Sequence, residues 1–198
     1  MTTRTNRYLQ EAKDKRISRK KIDYNVNLYE FICQCYVKLN PNSYGKYMED
    51  AISKLLQAYK MSPSDELGDI TIGGKYYEIK TSYLGQSGDT YTITHIRQWQ
   101  KFNYYLLCFI DCDNDFTPHF YVLNKNFMDM IKVDNMNGTS NSNIGNDKVE
   151  KRATIKVGTY NHRMIIRHNI LKDTTFDSLC DFVNEQRKDY YYEDHIVL

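Results

Sequence analysis

Apolar residues recur at helical spacing in three segments of the chain. Residues 24–38 carry this pattern, and residues 44–59 follow the i, i+3, i+4, i+7, i+8, i+11 spacing of an amphipathic helix. Asparagine, proline and serine at 40–43 break the chain between these two predicted helices. A last helix, capped by Thr175, is predicted to bury the apolar side chains that follow it: Phe176, Leu179, Cys180 and Val183.

Other segments favour strands. Residues 104–110 form a continuous run of bulky apolar side chains, which indicates a strand buried on both faces, and residues 119–123 indicate another strand. A polar helix is predicted at 94–102, directly before the buried strand. Towards the end of the chain, residues 152–157 and 163–167 are predicted to pair as two strands of a hairpin.

The segment from Asp69 to Lys80 predicts a β-hairpin closed by Gly73-Gly74. A two-residue glycine loop permits the positive φ angles of a type I′ turn, and it sets the strand register. Counting outwards from the turn places Ile72 opposite Lys75 and Asp69 opposite Glu78. Because side chains alternate along a strand, Asp69, Glu78 and Lys80 share one face. The other face carries the apolar side chains of this segment: Ile70, Ile72, Tyr77 and Ile79.

Two carboxylates directly opposite one another repel, so the Asp69–Glu78 pair is unfavourable in a purely structural hairpin. A divalent cation held by oxygen ligands would offset this repulsion, and the neighbouring Lys80 would help. The alternative is the solvated face of an ordinary hairpin. Asp65 and Glu66 are rival acidic residues, but neither gains a position across the strands from Glu78.

This arrangement, Asp…Glu-x-Lys on adjacent strands, resembles the active site of the PD-(D/E)xK nuclease superfamily. The resemblance covers residues 44–131 and is specific only at the hairpin. It implies an α/β (α+β) fold in which a restriction-endonuclease-like mixed β-sheet core is flanked by helices. The spacing Gln100-x-x-x-Tyr104 is also similar, weakly, to an element of RecB-type members.

The resemblance also implies roles for individual residues. Asp69 and Glu78 would bind Mg²⁺, with the backbone carbonyl of Ile79 as a further ligand. Lys80 would orient the attacking water and favour its deprotonated form. An acidic residue on the preceding helix, Glu49, would extend the metal site, although a glutamate near a helix N-terminus also suits the helix dipole.

Phosphate contacts are expected from the polar side chains of the predicted 94–102 helix. Arg97, Gln98 and Gln100 are the candidate DNA-binding residues, and a solvated helix face is the alternative. The scattered histidines, including His95, are not nominated as metal ligands because their spacing matches no metal motif.

The charge is unevenly distributed. The whole chain carries a net charge of +2, yet eight basic and two acidic residues between Arg4 and Lys21 give that segment a charge of +6. A basic arm suits phosphate contact, and a solvated helix face explains it equally well. Residues 134–150 are rich in asparagine and serine, which predicts a polar flexible loop.

We therefore interpret residues 1–198 as a single nuclease domain. It comprises these parts: a basic N-terminal segment (1–23), the catalytic core (44–131), the polar loop (134–150) and a C-terminal hairpin and helix (151–198). The chain contains five cysteines without C-x-x-C pairs, no signal-peptide core and no apolar run of transmembrane length. These features favour a cytoplasmic protein with reduced thiols that does not act in a membrane.

The sequence thus points to a Mg²⁺-dependent DNA endonuclease. Chain size and the resemblance favour a type II restriction enzyme, a site-specific deoxyribonuclease that cuts double-stranded DNA as a homodimer. A structure-specific repair or junction-resolving nuclease is the nearest alternative. A non-catalytic nucleic-acid-binding module with an accidental acidic pair is the alternative from another class.

Overall fold

The computed structural model describes residues 22–39, 43–62, 66–84, 89–112, 114–136 and 149–193. Helices and strands alternate irregularly along them. The α-helices are α1 (Leu28–Lys38), α2 (Tyr44–Leu55), α3 (Tyr160–His168) and α4 (Phe176–Glu193). The strands are β1 (Tyr59–Lys60), β2 (Ile70–Ile72), β3 (Lys75–Tyr83), β4 (Thr90–Ile96), β5 (Tyr104–Asp111), β6 (Thr117–Asn124), β7 (Asp134–Asn135) and β8 (Lys151–Lys156). A 3-10 helix, Lys125–Asp129, follows β6.

The strands form a five-stranded and a three-stranded sheet. The larger sheet has the order β1-β2-β3-β5-β6, in which β3 and β5 are parallel and the other pairs are antiparallel. The smaller sheet has the order β4-β8-β7 and is antiparallel throughout. The fold is therefore mixed α+β, as predicted. Along the chain, the parallel strands β3 and β5 are separated by β4, which belongs to the smaller sheet.

Apolar side chains cover both faces of the larger sheet. On one face, Ile79 of β3 and Cys108 of β5 pack in a cluster with Ile32 of α1, Ile52 of α2 and Leu179 of α4. On the opposite face, Tyr105 and Phe109 of β5 pack in a second cluster with β4, β8 and α3. Burial on both faces explains the continuous apolar sequence of β5, which is buried from Tyr105 to Ile110 as predicted.

The central hairpin has the predicted register. Ile72 pairs with Lys75 and Ile70 pairs with Tyr77, across a turn in which both glycines have positive φ. The apolar face of the hairpin is buried as predicted, with Ile70 0% and Tyr77 1% exposed. The two-residue glycine loop was therefore sufficient to set the pairing.

Two predicted elements are wrong. Residues 94–102 do not form a helix, because β4 extends through Ile96 and pairs with β8. Its first residues alternate between buried and exposed side chains, which is the period of a strand. Residues 163–167 do not form a strand but belong to α3, where Asn161 and Ile165, one helical turn apart, provide the buried positions.

Several helix boundaries also differ from the sequence predictions. The first helix begins only at Leu28, where Asn27 accepts a hydrogen bond from the Glu30 N–H at 2.9 Å. The second ends at Leu55, and Tyr59 lies in β1 instead. Thr175 caps α4 as predicted, since its hydroxyl oxygen accepts from the Ser178 N–H at 3.2 Å.

The two segments predicted to be basic or polar lie largely outside the described residues. Residues 1–21 of the basic segment and 137–148 of the polar loop are not described. At the edges of that loop, β7 pairs Asp134 with Arg152 of β8, so the segment begins in a short strand rather than in a loop.

The tip of the hairpin packs closely against α4. Gly73 has a φ of +53°, and a Cβ at this position would overlap the backbone carbonyl of Gln186. The same helix is tied to the end of α2, because Arg187 donates hydrogen bonds to the carbonyl oxygens of Leu56 and Gln57. The turn of the hairpin that carries the candidate site is therefore packed against α4.

Gly73→Ala is expected to destabilise the protein more than Gly158→Ala. Gly158 also has a positive φ, +78°, but nothing lies within 4 Å of a Cβ built there. Its replacement should cost only the conformational strain, about 1–2 kcal/mol. Gly73→Ala adds the overlap with Gln186 and should cost about 1–3 kcal/mol more. Urea denaturation of both variants measures the difference, and equal losses would contradict the close packing of the turn on α4.

Candidate active site

The candidate site begins where the β2–β3 ladder ends. Asp69 directly precedes β2, and its backbone N–H donates to the Tyr77 carbonyl at 2.8 Å while its own carbonyl accepts from the Met61 N–H at 2.8 Å. Its side chain then accepts the Ile79 N–H through Oδ2 at 2.7 Å. If the β2–β3 ladder continued, a backbone carbonyl on the β2 side would accept the Ile79 N–H. The Asp69 carboxylate accepts it instead, and this hydrogen bond fixes the carboxylate beside Glu78.

Glu78 and Lys80 form a buried ion pair on the same face of β3. The Lys80 ammonium donates to Glu78 Oε1 at 2.6 Å, and the two side chains are 15% and 4% exposed. The second oxygen, Oε2, is buried and has no hydrogen-bond partner in the described part of the chain. A buried carboxylate oxygen without a donor costs free energy of folding, so a cation or a hydrogen-bond donor at this oxygen would stabilise the site.

The pKa of Asp69 also indicates that negative charge is crowded at this site. Burial, together with the negative charge of Glu78, raises the pKa of Asp69 to about 7, although Lys80 acts in the opposite direction. Glu49 contributes a further, smaller increase to this pKa. The carboxylates of Glu78 and Glu49 therefore both raise the pKa of Asp69, and Lys80 opposes them.

These residues line an open cleft with a volume of about 570 Å³. The short β2 pairs only with the first three residues of β3, so β3 from Glu78 onwards has no strand partner on that side among the residues that the structure describes. One wall of the cleft is the Asp69–Glu78–Lys80 face, and β4 provides another. The lining residues are Tyr44, Gly45, Glu49, Asp69, Glu78, Ile79, Lys80, Thr81, Ser82, Tyr83, Thr90, Thr92, Ile93, Thr94, His95 and Arg97.

Glu49 lies at this cleft, on α2, as the sequence predicted for an additional acidic residue. Its carboxylate forms an ion pair with Lys60 at 2.7 Å, and Lys60 also contacts Asp50. Although partial burial lowers the pKa of Lys60, the hydrogen bonds with Asp50 and Glu49 outweigh it and raise the pKa above its ordinary value. Glu49 therefore lines the cleft while its carboxylate is paired with Lys60.

The rival acidic residues do not reach the cleft in the same way. Glu66 is exposed, forms an ion pair with Lys101 at 3.9 Å and is not a lining residue. Asp65 lies outside the described residues. The structure brings together Asp69, Glu78 and Lys80.

The three predicted DNA-contacting residues have different environments. Arg97 lines the cleft and is one third exposed. Gln98 donates to the carboxylate of Asp129, away from the lining residues. Gln100 is only 6% exposed, so its side chain faces the interior and does not lie on the surface of a helix.

Sequence reasoning missed a second cluster in the cleft. Glu150, directly before β8, is buried, with 2% of its side chain exposed. His95 Nδ1 lies 2.6 Å from its Oε2, and Arg97 Nε donates to its Oε1 at 2.7 Å. More than fifty residues separate Glu150 from either partner, and the contact depends on the β4–β8 ladder. No local pattern in the sequence indicates it.

The site fits a hard divalent cation in its donor chemistry. Asp69 and Glu78 offer carboxylate oxygens, one of them buried without a donor, and the Ile79 carbonyl belongs to the same short stretch. No group of three or more His, Cys, Asp or Glu side chains within the described ranges is arranged to hold a metal ion. Two carboxylates completed by carbonyl and water ligands are the mode of binding that Mg²⁺ favours.

Comparison with known proteins does not identify the chain. No known protein-family model matches the sequence, and a search of curated proteins found no match. Among the helices that the structure describes, none is long and apolar enough to cross a membrane. Functional interpretation therefore depends on the geometry and chemistry of the cleft.

Asp69→Asn is expected to change how stability depends on pH. The native pKa of about 7 lies above the ordinary carboxyl value, so the folded protein binds a proton that the unfolded chain has released. This group's stabilisation is present below about pH 4 and is lost as the pH rises towards and through 7, by roughly 2–4 kcal/mol in total. Asparagine can still accept the Ile79 N–H, but it carries no charge.

The variant should therefore lose less stability than the native protein between pH 5 and pH 8. Urea denaturation at several pH values in metal-free buffer with a chelator measures this difference. Parallel pH profiles for the two proteins would show that the Asp69 carboxyl is not desolvated as the structure indicates.

Proposed function

We propose that this protein is a Mg²⁺-dependent nuclease that hydrolyses phosphodiester bonds in DNA. The observation that carries the proposal is the cleft face on which Asp69 and Glu78 are forced together with Lys80. Glu78 keeps a buried oxygen without a donor, and the pKa of Asp69 is raised to about 7 by burial and by Glu78. A divalent cation would satisfy both carboxylates at once.

The residues of the chain supply defined parts of such a reaction. Asp69 and Glu78 would hold Mg²⁺, which would neutralise charge on the phosphate and lower the pKa of a bound water. Asp69 and Glu78 are held by β-sheet hydrogen bonds and by Lys80, so their oxygens are in place before substrate binds. The Lys80 side chain lines the cleft, where its positive charge would favour a deprotonated water over a neutral one.

Lys80 is best suited to electrostatic stabilisation. The Lys80 ammonium lies in the cleft and is held against Glu78 in an ion pair, so it presents a positive charge beside the two carboxylates. Its role in the proposal is therefore to stabilise negative charge on the attacking water and on the phosphate.

Within this class, we propose a type II restriction enzyme that acts on double-stranded DNA as a homodimer. Support comes from the resemblance of the hairpin to the PD-(D/E)xK superfamily and from the mixed sheet around it, which suits a restriction-endonuclease-like core. A two-fold symmetric dimer would let each subunit cut one strand of a symmetric site. The five cysteine thiols, all within the described residues, form no disulfides, which suits action in the cytoplasm.

Lys80→Ala is expected to reduce Mg²⁺-dependent DNA cleavage by about 10²–10⁴-fold, because it removes the cation beside the two carboxylates. DNA binding, measured by fluorescence anisotropy, should remain within a few fold. Lys75→Ala is the matched control, since Lys75 lies on the same strand but is exposed at the hairpin turn. Its cleavage rate should equal that of the native protein.

The same assay includes Asp69→Asn, which should abolish cleavage without removing the hydrogen bond to Ile79. Circular dichroism confirms that each variant is folded. If the native protein shows no Mg²⁺-dependent cleavage of linear, circular or branched DNA, the nuclease proposal fails. Retained cleavage in folded Lys80→Ala and Asp69→Asn would place the activity elsewhere.

Digestion of a sequenced plasmid with Mg²⁺ is expected to give discrete fragments, because a type II enzyme cuts at defined sequences. Mapping the fragment ends should then reveal one recurring sequence at a constant distance from the cut. A structure-specific nuclease would instead cut synthetic four-way junctions and flaps at the branch, whatever their sequence. That outcome would retain the chemistry of the site and reject the restriction enzyme.

A further inference from the structure

The wall of the cleft that faces the carboxylates is built around a buried anion. Glu150 accepts from both His95 and Arg97, and these two side chains are 49% and 33% exposed although their shared partner is 2% exposed. Burial alone would raise the pKa of Glu150, but the hydrogen bonds from His95 and Arg97 hold it below its ordinary value. Glu150 is therefore a charged anchor, and His95 and Arg97 extend from it into the cleft.

His95 and Arg97 each contact Glu150 through only one side-chain nitrogen. Arg97 donates through Nε, and no described residue accepts from its two Nη nitrogens. His95 contacts Glu150 through Nδ1, and its Nε2 has no partner among the residues that the structure describes. An arginine held by Nε presents its remaining N–H groups as a fixed fork, the geometry that binds phosphate oxygens in pairs.

The backbone is deformed where it presents these groups. Ile93 pairs with Ala153 and Ile96 with Lys151, so Thr94 and His95 together oppose the single residue Arg152 of β8. This β-bulge makes Thr94 and His95 consecutive exposed side chains on the cleft, and His95 has a φ of +52°. A non-glycine residue in this conformation costs energy, which is characteristic of binding and catalytic sites.

Stability alone does not explain the cluster. A buried carboxylate paired with an arginine and a histidine is, on average, no more stabilising than apolar side chains of the same volume. Here the carboxylate fixes Arg97 and His95 on a solvent-accessible surface beside two threonine hydroxyls, those of Thr92 and Thr94. Hydroxyl and cationic side chains together are the groups that contact nucleic-acid phosphates.

We propose that His95 and Arg97, positioned by Glu150, form the phosphate-binding wall of the cleft. They would hold the backbone of the DNA strand whose neighbouring phosphate lies against Asp69, Glu78 and Lys80. This inference rests on the proposed nuclease function, which supplies DNA as the ligand. His95 and Arg97 contact substrate, and Glu150 acts only through them as a positioning residue.

The test separates binding from chemistry by measuring binding in Ca²⁺, which keeps the divalent charge. The probe is a fluorescein-labelled DNA duplex of mixed sequence, and its Kd is determined by anisotropy at several salt concentrations. Arg97→Ala should weaken binding by about 10–100-fold, the usual effect of losing a charged hydrogen-bonded contact. It should also reduce the slope of log Kd against log salt by about 1.

Two further variants keep the test independent of folding defects. Arg97→Lys retains the charge, so it should keep the salt slope while losing part of the affinity. Glu150→Gln should also weaken binding, and its effect should shrink in the Arg97→Ala background to the part that acts through His95. Arg167→Ala, on the exposed surface of α3, is the matched control and should bind like the native protein.

Cleavage kinetics in Mg²⁺ complete the design. In Arg97→Ala, KM should rise with the Kd while kcat at saturation stays within about 3-fold, as expected for an interaction made equally before and during reaction. Native cleavage combined with unchanged Kd and salt slope in folded Arg97→Ala would overturn this inference alone. Native binding that is weakened by Arg97→Ala, without any cleavage, would overturn the nuclease proposal and retain the phosphate wall. Absence of DNA binding by the native protein would overturn both.

Discussion

The candidate site depends on one hydrogen bond, the bond from the Ile79 N–H to the carboxylate of Asp69. It forms where β2 stops pairing with β3, so a side chain replaces a strand as the acceptor. Two consequences follow because a side chain, and not a strand, accepts this N–H. The edge of β3 is left open and becomes the floor of a cleft, and a carboxylate is fixed beside Glu78 despite their mutual repulsion.

This local conflict is supported by the rest of the fold. Apolar clusters on both faces of the larger sheet hold β3 and β5 in register, and α4 packs on the turn through Gly73. The unfavourable pair of acids is therefore a small local cost within a consistent core. Natural sequences depart from structural consistency mainly at functional positions, and Asp69 and Glu78 fit that description.

The acidic face was predictable because its information is local. Asp69 and Glu78 are nine residues apart, and the Gly73-Gly74 turn alone sets which residues oppose each other. The wall formed by His95 and Arg97 was not predictable, because Glu150 contacts these residues only after β4 and β8 have paired. The alternation of buried and exposed residues in β4 is interrupted by the bulge at Thr94 and His95, which made residues 94–102 resemble a helix.

The distance between the two walls is set by contacts that join the two sheets. Tyr91 of β4 stacks on Phe109 of β5 with ring centroids 4.4 Å apart, and the Thr92 N–H donates to the hydroxyl of Ser82 on β3 at 2.9 Å. These contacts join the smaller sheet to the larger one beside the cleft. Asp69, Glu78 and Lys80 form hydrogen bonds within the hairpin of the larger sheet, whereas Glu150 forms them with His95 and Arg97 beside β4 and β8 of the smaller sheet. The two sheets thus provide one wall of the cleft each, and the packing between them sets how far apart these walls lie.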